Sequence, residues 1–254
     1  MPVKQAKKRD PLSYQERTYR AMVDQGFLQA TAITVQETDL HILAEQDVHA
    51  AAHDLILSCR SQIERYATNH PQFLTSLTPL GMDNLAPALL KSMLGAARAA
   101  EVGPMAAVAG TIAEFVGRGL IESGLTREVM VENGGDIFIQ RHQECLIAIY
   151  AGESPLSNRI GLRITPEQMP LGICTSSGSI GHSISFGRAD SVTVLAPNTA
   201  LADTAATRLG NELKADDDMA HTLEVAQNIA GLLGVVVVKN ETLGAWGDIE
   251  LEKI

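Results

Sequence analysis

The sequence predicts an α+β fold with substantially antiparallel strand pairing. Three observations carry that reading. Strand-like runs come in adjacent pairs, helical runs come in pairs between them, and no period of about 20 to 50 residues points to a solenoid. A doubly wound parallel sheet ranks second.

Taken in order, residues 26–45 read as a hairpin. Thr31, Ile33 and Val35 alternate with small or polar residues, and Leu40, Ile42 and Leu43 follow a turn near Asp39. From Asp47 to His70 the residues Val48, Ala52, Leu55, Ile56, Cys59, Ile63 and Tyr66 recur at helical spacing, with Asp47 placed to cap the helix and Pro71 to stop it. A second helix, rich in Ala and Leu, spans 86–101. After Gly103-Pro104 a third runs from about 105 to 123 and starts almost free of bulk, with Ala106, Ala107, Ala109, Gly110 and Ala113, so something must approach its backbone closely. Gly124 suits its C-terminal cap. Beyond it, 129–140, 145–151, 161–164 and 191–196 read as strands, 201–213 and 219–230 as helices, and 235–239 and 248–252 as closing strands.

The 254 residues are expected to form a basic arm over 1–22 and a single domain over 23–254. Lys+Arg 20 against Asp+Glu 30 gives a net charge of -10, whereas the first twenty residues carry six basic against two acidic groups. An acidic body argues against nucleic acid as a partner, and 4% aromatic residues offer few stacking platforms. The longest uninterrupted apolar run, 229–238, is far shorter than the ~20 residues of a bilayer span, and no apolar segment follows the N-terminal lysines, so a cytoplasmic protein without a membrane partner is expected. Cys59, Cys145 and Cys174 are widely spaced and read as reduced thiols.

Three constellations could carry chemistry. Glu132-Asn133-Gly134-Gly135-Asp136 is either a strand interrupted where a flat ligand meets bare backbone or a hairpin with Gly-Gly at its tip. The run from Cys174 through Thr175, Ser176, Ser177 and Gly178 to His182-Ser183 is either a nest for an anion or a polar loop, with His182 and Cys174 as candidates for acid/base and thiol chemistry. Asp203 and Thr207 are four apart on a helix, where their oxygens can share a hard cation such as Mg²⁺; the alternative is ordinary helix N-terminal chemistry. His49 and His53 are also four apart, but no Glu follows His49 as a zinc-protease helix requires.

In this order the segments resemble the ApbE family, the FAD:protein FMN transferases. That family's V-T-V-x-A-P-x-x-x-x-A-D-x-x-x-T-x-L element is matched by Val192-Thr193-Val194, Ala196-Pro197, Ala202-Asp203 and Thr207, its G-G-D by Gly134-Gly135-Asp136, and its G-x-A-K-G by Ala107 to Thr111, with Gly110 where the lysine stands. The H-x-x-D-P-x-T-G segment has only 181–185 near it. A short cytoplasmic branch with Y-x-x-R-x-Y-R, E-T-D-L, E-N-G-G-D, G-I-C-T-S-S-G and S-F-G-R-A-D is closer, matched at 14–20, 37–40, 132–136, 172–178 and 185–190.

The resemblance implies a T-fold-like α+β architecture, a largely antiparallel sheet packed with helices. It implies a Mg²⁺ site from Asp203, Thr207 and the carbonyl of Ala109. It also implies a pocket for FAD or another flavin or adenine nucleotide, lined by Gly134, Gly135, Asp136, Thr175, Ser176, Ser177 and Gly178. The chain is then a Mg²⁺-dependent nucleotide-binding protein, a degenerate transferase. The branch is also tied to anaerobic sulfide assimilation and homocysteine synthesis, which makes a sulfur-pathway protein the alternative partner, with Cys174 as the sulfur carrier. A homo-oligomer stays open.

Overall fold

The computed structural model describes residues 27–177, 189–213 and 218–254. An eight-stranded sheet runs in the order β1 (Gln29–Val35), β2 (Thr38–Ala44), β3 (Val129–Asn133), β4 (Asp136–Gln140), β7 (Leu171–Ser176), β8 (Ser191–Ala196), β9 (Gly234–Lys239) and β10 (Thr242–Gly247). Every ladder in it is antiparallel. A second sheet orders β11 (Glu250–Lys253), β6 (Ile160–Ile164) and β5 (Cys145–Ala148).

Alternation along each strand separates two cores. One face carries Ile33, Leu40, Ile42, Val131 and Phe138 toward α1 (His49–Asn69), α3 (Ala88–Ala100) and α4 (Val108–Glu122). It continues as Cys174, Val192 and Val194 beneath α5 (Thr199–Glu212) and α6 (Met219–Gln227). The opposite face buries Leu43, Met130, Ile139, Leu171 and Ile173 against Leu162 and Ile164 of the small sheet. A short helix, α2 (Gln72–Thr75), follows with Pro71 at its N-cap, so the proline ends α1 and starts the next turn. Arg60 on α1 donates to Thr38 Oγ1 at 3.0 Å and to Glu37 at 2.8 Å, which fixes the β1–β2 turn to the helix layer.

The small residues of α4 meet protein, not ligand. A Cβ at Gly117 would lie 2.3 Å from the Phe138 ring, and one at Gly110 would lie 2.7 Å from Thr199 O and 2.9 Å from Asp203 Cβ. Close approach of sheet and α5 therefore requires glycine at both positions. The stretch Pro104–Glu122 is long and apolar enough to cross a membrane, but 56% of that window is buried inside the protein, as a core helix is.

Three expectations need correction. The interval 129–140 is not one strand: Asn133 pairs with Asp136 across a two-residue Gly134-Gly135 turn, whose φ values of +72° and +107° L side chains rarely adopt. The stretch beginning at Cys174 is not wholly a loop, because Leu171–Ser176 is an inner strand flanked by β4 and β8. The segment after 239 also holds an extra edge strand, β10, before β11.

Candidate functional site

Among the described residues, the predicted Ala109, Gly134, Gly135, Asp136, Cys174 and Asp203 lie at one end of the large sheet, where the β3–β4 turn meets the starts of α4 and α5. Asn198 begins α5, its side chain accepting the N–H of Leu201 at 2.9 Å. One turn further on, Asp203 is buried and its Oδ2 accepts the N–H of Gly110 at 2.8 Å. The return contact comes from Glu114 on α4, whose Oε2 accepts the N–H of Thr199 at 2.7 Å while its Oε1 takes Arg118 Nε at 2.8 Å. Each helix thus places a carboxylate on the other's N-terminal amides, where donors are unfilled and the dipole is positive. Sequence reasoning missed Glu114. A lone acid on the apolar face of α4 was its signal.

Asp136 and Cys174 are register partners on β4 and β7, on the face toward Asp203. Burial first, and the neighbouring Asp136 second, push the Asp203 carboxyl well above the usual carboxylate range, against the pull of the Gly110 and Ala109 N–H groups. Cys174 is raised by burial and then by Asp136 and Asp203, and its Sγ lies 3.5 Å from the Thr199 carbonyl. Two buried carboxylates that repel each other form an acidic niche at the two helix starts. Among the described residues, the hydroxyls of Thr111 and Thr199, beside Gly110 and Asn198, are buried without a hydrogen-bond partner.

This donor set fits a hard cation in charge and in chemistry. Asp203 is the central carboxylate, and Thr207 lies half-buried one turn along α5. The Ala109 carbonyl belongs to the same peptide group as the Gly110 N–H that Asp203 takes, so it points away from that carboxylate oxygen and instead accepts Asn133 Nδ2 at 3.1 Å, which separates it from the expected ligand set. Among the described residues there is no group of three or more His, Cys, Asp or Glu side chains arranged for a metal. A cation here relies on hydroxyl, carbonyl and exogenous oxygens.

The family model described as AbpE bacteria matches residues 20–240. The chain belongs to that family. The UPF0280 protein of Methanococcus aeolicus is 40% identical over 222 residues, covering 85% of this chain and 89% of the relative. That of Methanosarcina acetivorans is 35% identical over 217 residues, 85% of each. The fold of this AbpE bacteria member is similar to the apo flavinyl transferase ApbE of Pseudomonas stutzeri, with a TM-score of 0.53 at 14% identity, over 86% of this chain and 94% of that one. It is also similar to the apbe protein of Thermotoga maritima, with a TM-score of 0.54 at 10% identity, over 85% and 96%.

Within this AbpE bacteria fold the remaining predicted residues separate. Gly134 and Gly135 form the turn tip; Glu132 Oε1 accepts the Gly135 N–H at 2.9 Å, and the Gly135 carbonyl takes Thr175 N–H at 3.2 Å. Thr175 and Ser176 lie in β7, where Thr175 Oγ1 meets Thr193 Oγ1 at 2.9 Å. The ladder uses backbone amides that an anion nest would need, which corrects the loop reading at 174–176. Ser177 follows the strand. Gly178 and His182 lie outside the described residues.

Proposed function

We propose that this protein binds a flavin or adenine nucleotide together with a divalent cation at the niche bounded by Asp203, Asp136, the Gly134-Gly135 turn and the start of α4. One observation carries the reading: Asp203 and Asp136 are two buried acids facing each other, burial first and the neighbouring Asp136 second lift the Asp203 carboxyl, and a cation offsets both effects. Asp203 and Thr207 hold the ion, and the Ala109 carbonyl joins them only once the 109–110 peptide turns toward Asp203. A bound Mg²⁺ supplies charge neutralisation for phosphate oxygens. The bare Gly-Gly backbone leaves room for a flat ring. The solved structures named for flavin transfer support this ligand class by fold alone.

A sulfur-relay role needs a reactive thiol. Burial holds Cys174 well above its usual range and pushes Cys59 and Cys145 to about 11, so all three stay protonated at neutral pH and are poor nucleophiles. The nucleotide reading is the better supported.

The test is mass spectrometry of small molecules released from the purified protein, with its visible spectrum, followed by calorimetric titration of FAD and ADP with and without Mg²⁺. Mg²⁺-dependent binding of either nucleotide supports the proposal. Absence of binding under both conditions overturns it.

A further inference from the structure

The chain between α1 and α3 is pinned to the helix layer at two points. A Cβ on Gly103 would run into the Ser76 carbonyl, so backbone rests directly on backbone there. Further along, Tyr66 of α1 donates its hydroxyl to Asp83 Oδ2 at 3.2 Å, and Asp83 Oδ1 accepts the Leu85 N–H at 2.9 Å. Beside these anchors, residues 80–84 and the C-terminal end of α1 bound a solvent-open cavity of about 360 Å³. Tyr66 and His70 stack along its wall with ring centroids 4.2 Å apart, and Phe73 meets Tyr66 edge-on at 5.1 Å. The cavity shares no residue with the niche around Asp203.

The polar lining suits a cation. It consists of Asp83 with His70, Gln72 and Asn84, and among the described residues no Lys or Arg lines the cavity. The Leu85 N–H first, and the Tyr66 hydroxyl after it, hold the Asp83 carboxyl below its usual range, so it is an ionised acceptor at neutral pH. A carboxylate offers about four lone-pair positions, and Leu85, Tyr66 and the Ala86 N–H leave one of them open on this half-buried side chain. His70 Nδ1 lies 3.1 Å from the Tyr66 carbonyl; with the ring proton placed there, Nε2 is the acceptor of the neutral imidazole. Gln72 and Asn84 each add an amide oxygen. A primary ammonium, with three donors and no acceptor, matches this set, whereas an anion meets a carboxylate and no cation.

Two further features point to an occupant. Gly81 lines the cavity without a conformational or packing reason to be glycine: its φ lies outside the left-handed region, and a Cβ there would meet nothing within 4 Å. Glycine costs backbone entropy on folding, and what the missing side chain leaves at this position is room in the cavity. The other feature is the apolar part of the lining, Leu80, Met82 and Leu94, on which a short hydrocarbon can pack. We infer that this cavity binds a small organic amine as its ammonium ion, the charged nitrogen between Asp83 and His70 and the hydrocarbon against Leu80, Met82 and Leu94. The net charge of -10 draws such cations to the protein.

Three probes of one size but different head group test this: n-butylamine, n-butanol and butyrate, each titrated into the full chain at constant neutral pH while the NMR signals of the Tyr66 and His70 rings are followed. n-Butylamine is expected to shift both rings saturably with a dissociation constant on the order of 1 mM, the range open to so small a ligand. Butanol and butyrate should bind at least about tenfold more weakly, since only the ammonium pairs with the carboxylate. Gly81→Phe fills the cavity from a position with free space around it and should abolish the shifts in an intact fold. Asp83→Asn should weaken butylamine by at least about tenfold and leave butanol unchanged; where loss of the Asp83 contacts unfolds the loop, Gly81→Phe carries the test. Absence of saturable shifts with butylamine overturns the inference. So do equal affinities for amine and alcohol, which reduce the cavity to apolar packing, and shifts that survive Gly81→Phe, which put the amine elsewhere on the protein.

Discussion

Asp203 on α5 accepts the backbone N–H of Gly110 on α4 at 2.8 Å, in a space where any Cβ on residue 110 would lie 2.9 Å from the Asp203 Cβ. The bare backbone of residue 110 and the acid of residue 203 are one device: the first lets the carboxylate reach the amide, and the second fills a helix-start donor. Gly110→Ala is therefore expected to cost about 1–3 kcal/mol by overpacking against Thr199 and Asp203. In Gly95→Ala on α3, nothing lies within 4 Å of the new methyl, and stability should rise by about 0.5–1 kcal/mol. Urea unfolding of both variants checks the contrast, and equal effects would refute it.

Asp203→Asn separates the cap from the cation. The amide oxygen of Asn can still take the Gly110 N–H, and loss of the charge ends the repulsion with Asp136, so stability should change by no more than about 1 kcal/mol. The Mg²⁺-dependent part of nucleotide affinity should fall by at least about tenfold, since even outer partners of a metal ligand cost that much. Calorimetry with ADP and FAD decides. An unchanged Mg²⁺ dependence removes Asp203 from the ion's ligands.

The turn gives a conformational prediction. A Cβ on Gly135 has room, its nearest neighbour being Thr175 O at 3.5 Å, but φ of +107° is strained for any L side chain. Gly135→Ala should lose about 1–2 kcal/mol through backbone strain. Far-UV circular dichroism of the folded fraction should stay as in the wild type. A stability equal to the wild type would mean that the turn relaxes freely and does not hold Asp136 in place.

Much of this architecture was legible because burial imposes periodicity. Ala52, Ile56, Cys59 and Ile63 mark one face of α1, and Thr31 and Ile33 mark the inner face of β1. Strand β7 as a whole was not legible: Gly172 interrupts its short apolar start, Thr175 and Ser176 have the composition of a loop, and only the neighbours β4 and β8, with Thr193 opposite Thr175, make an inner strand of Leu171–Ser176. The i,i+4 pair Asp203 and Thr207 could be read from spacing. The apposition of Asp203 with Asp136, 67 residues away in sequence, is created by tertiary packing of α5 on the sheet and leaves no local signal.

Acid should weaken one tether between β2 and the loop before β3. Glu45 accepts Arg127 N–H at 2.6 Å and the guanidinium at 2.9 Å, and these bonds lower its carboxyl to about 2. A lowered folded-state pKa contributes stability that is present above the ordinary carboxylate range and lost as pH falls through it, here between about pH 5 and about pH 2. Glu45→Gln should flatten the fall of the urea midpoint across that window. An identical pH profile for the variant would show that the tether contributes nothing.

The last prediction concerns chemistry. The protein is expected to bind a flavin or adenine nucleotide and yet not to transfer FMN from FAD to an acceptor peptide of the ApbE enzymes. By its resemblance to the G-x-A-K-G signature, the sequence has Gly110 where the transferases carry a lysine, and the geometry forbids restoring it: a side chain there runs into Thr199 O and Asp203. The H-x-x-D-P-x-T-G segment also lacks a full counterpart in this sequence. Affinity tolerates such losses better than reaction does, because displacements of about an ångström remove rate long before they abolish binding. The decisive assay incubates protein, FAD, Mg²⁺ and acceptor peptide and weighs the peptide by mass spectrometry. A peptide carrying FMN would overturn this expectation and make His182 the first residue to substitute in search of the acid/base group.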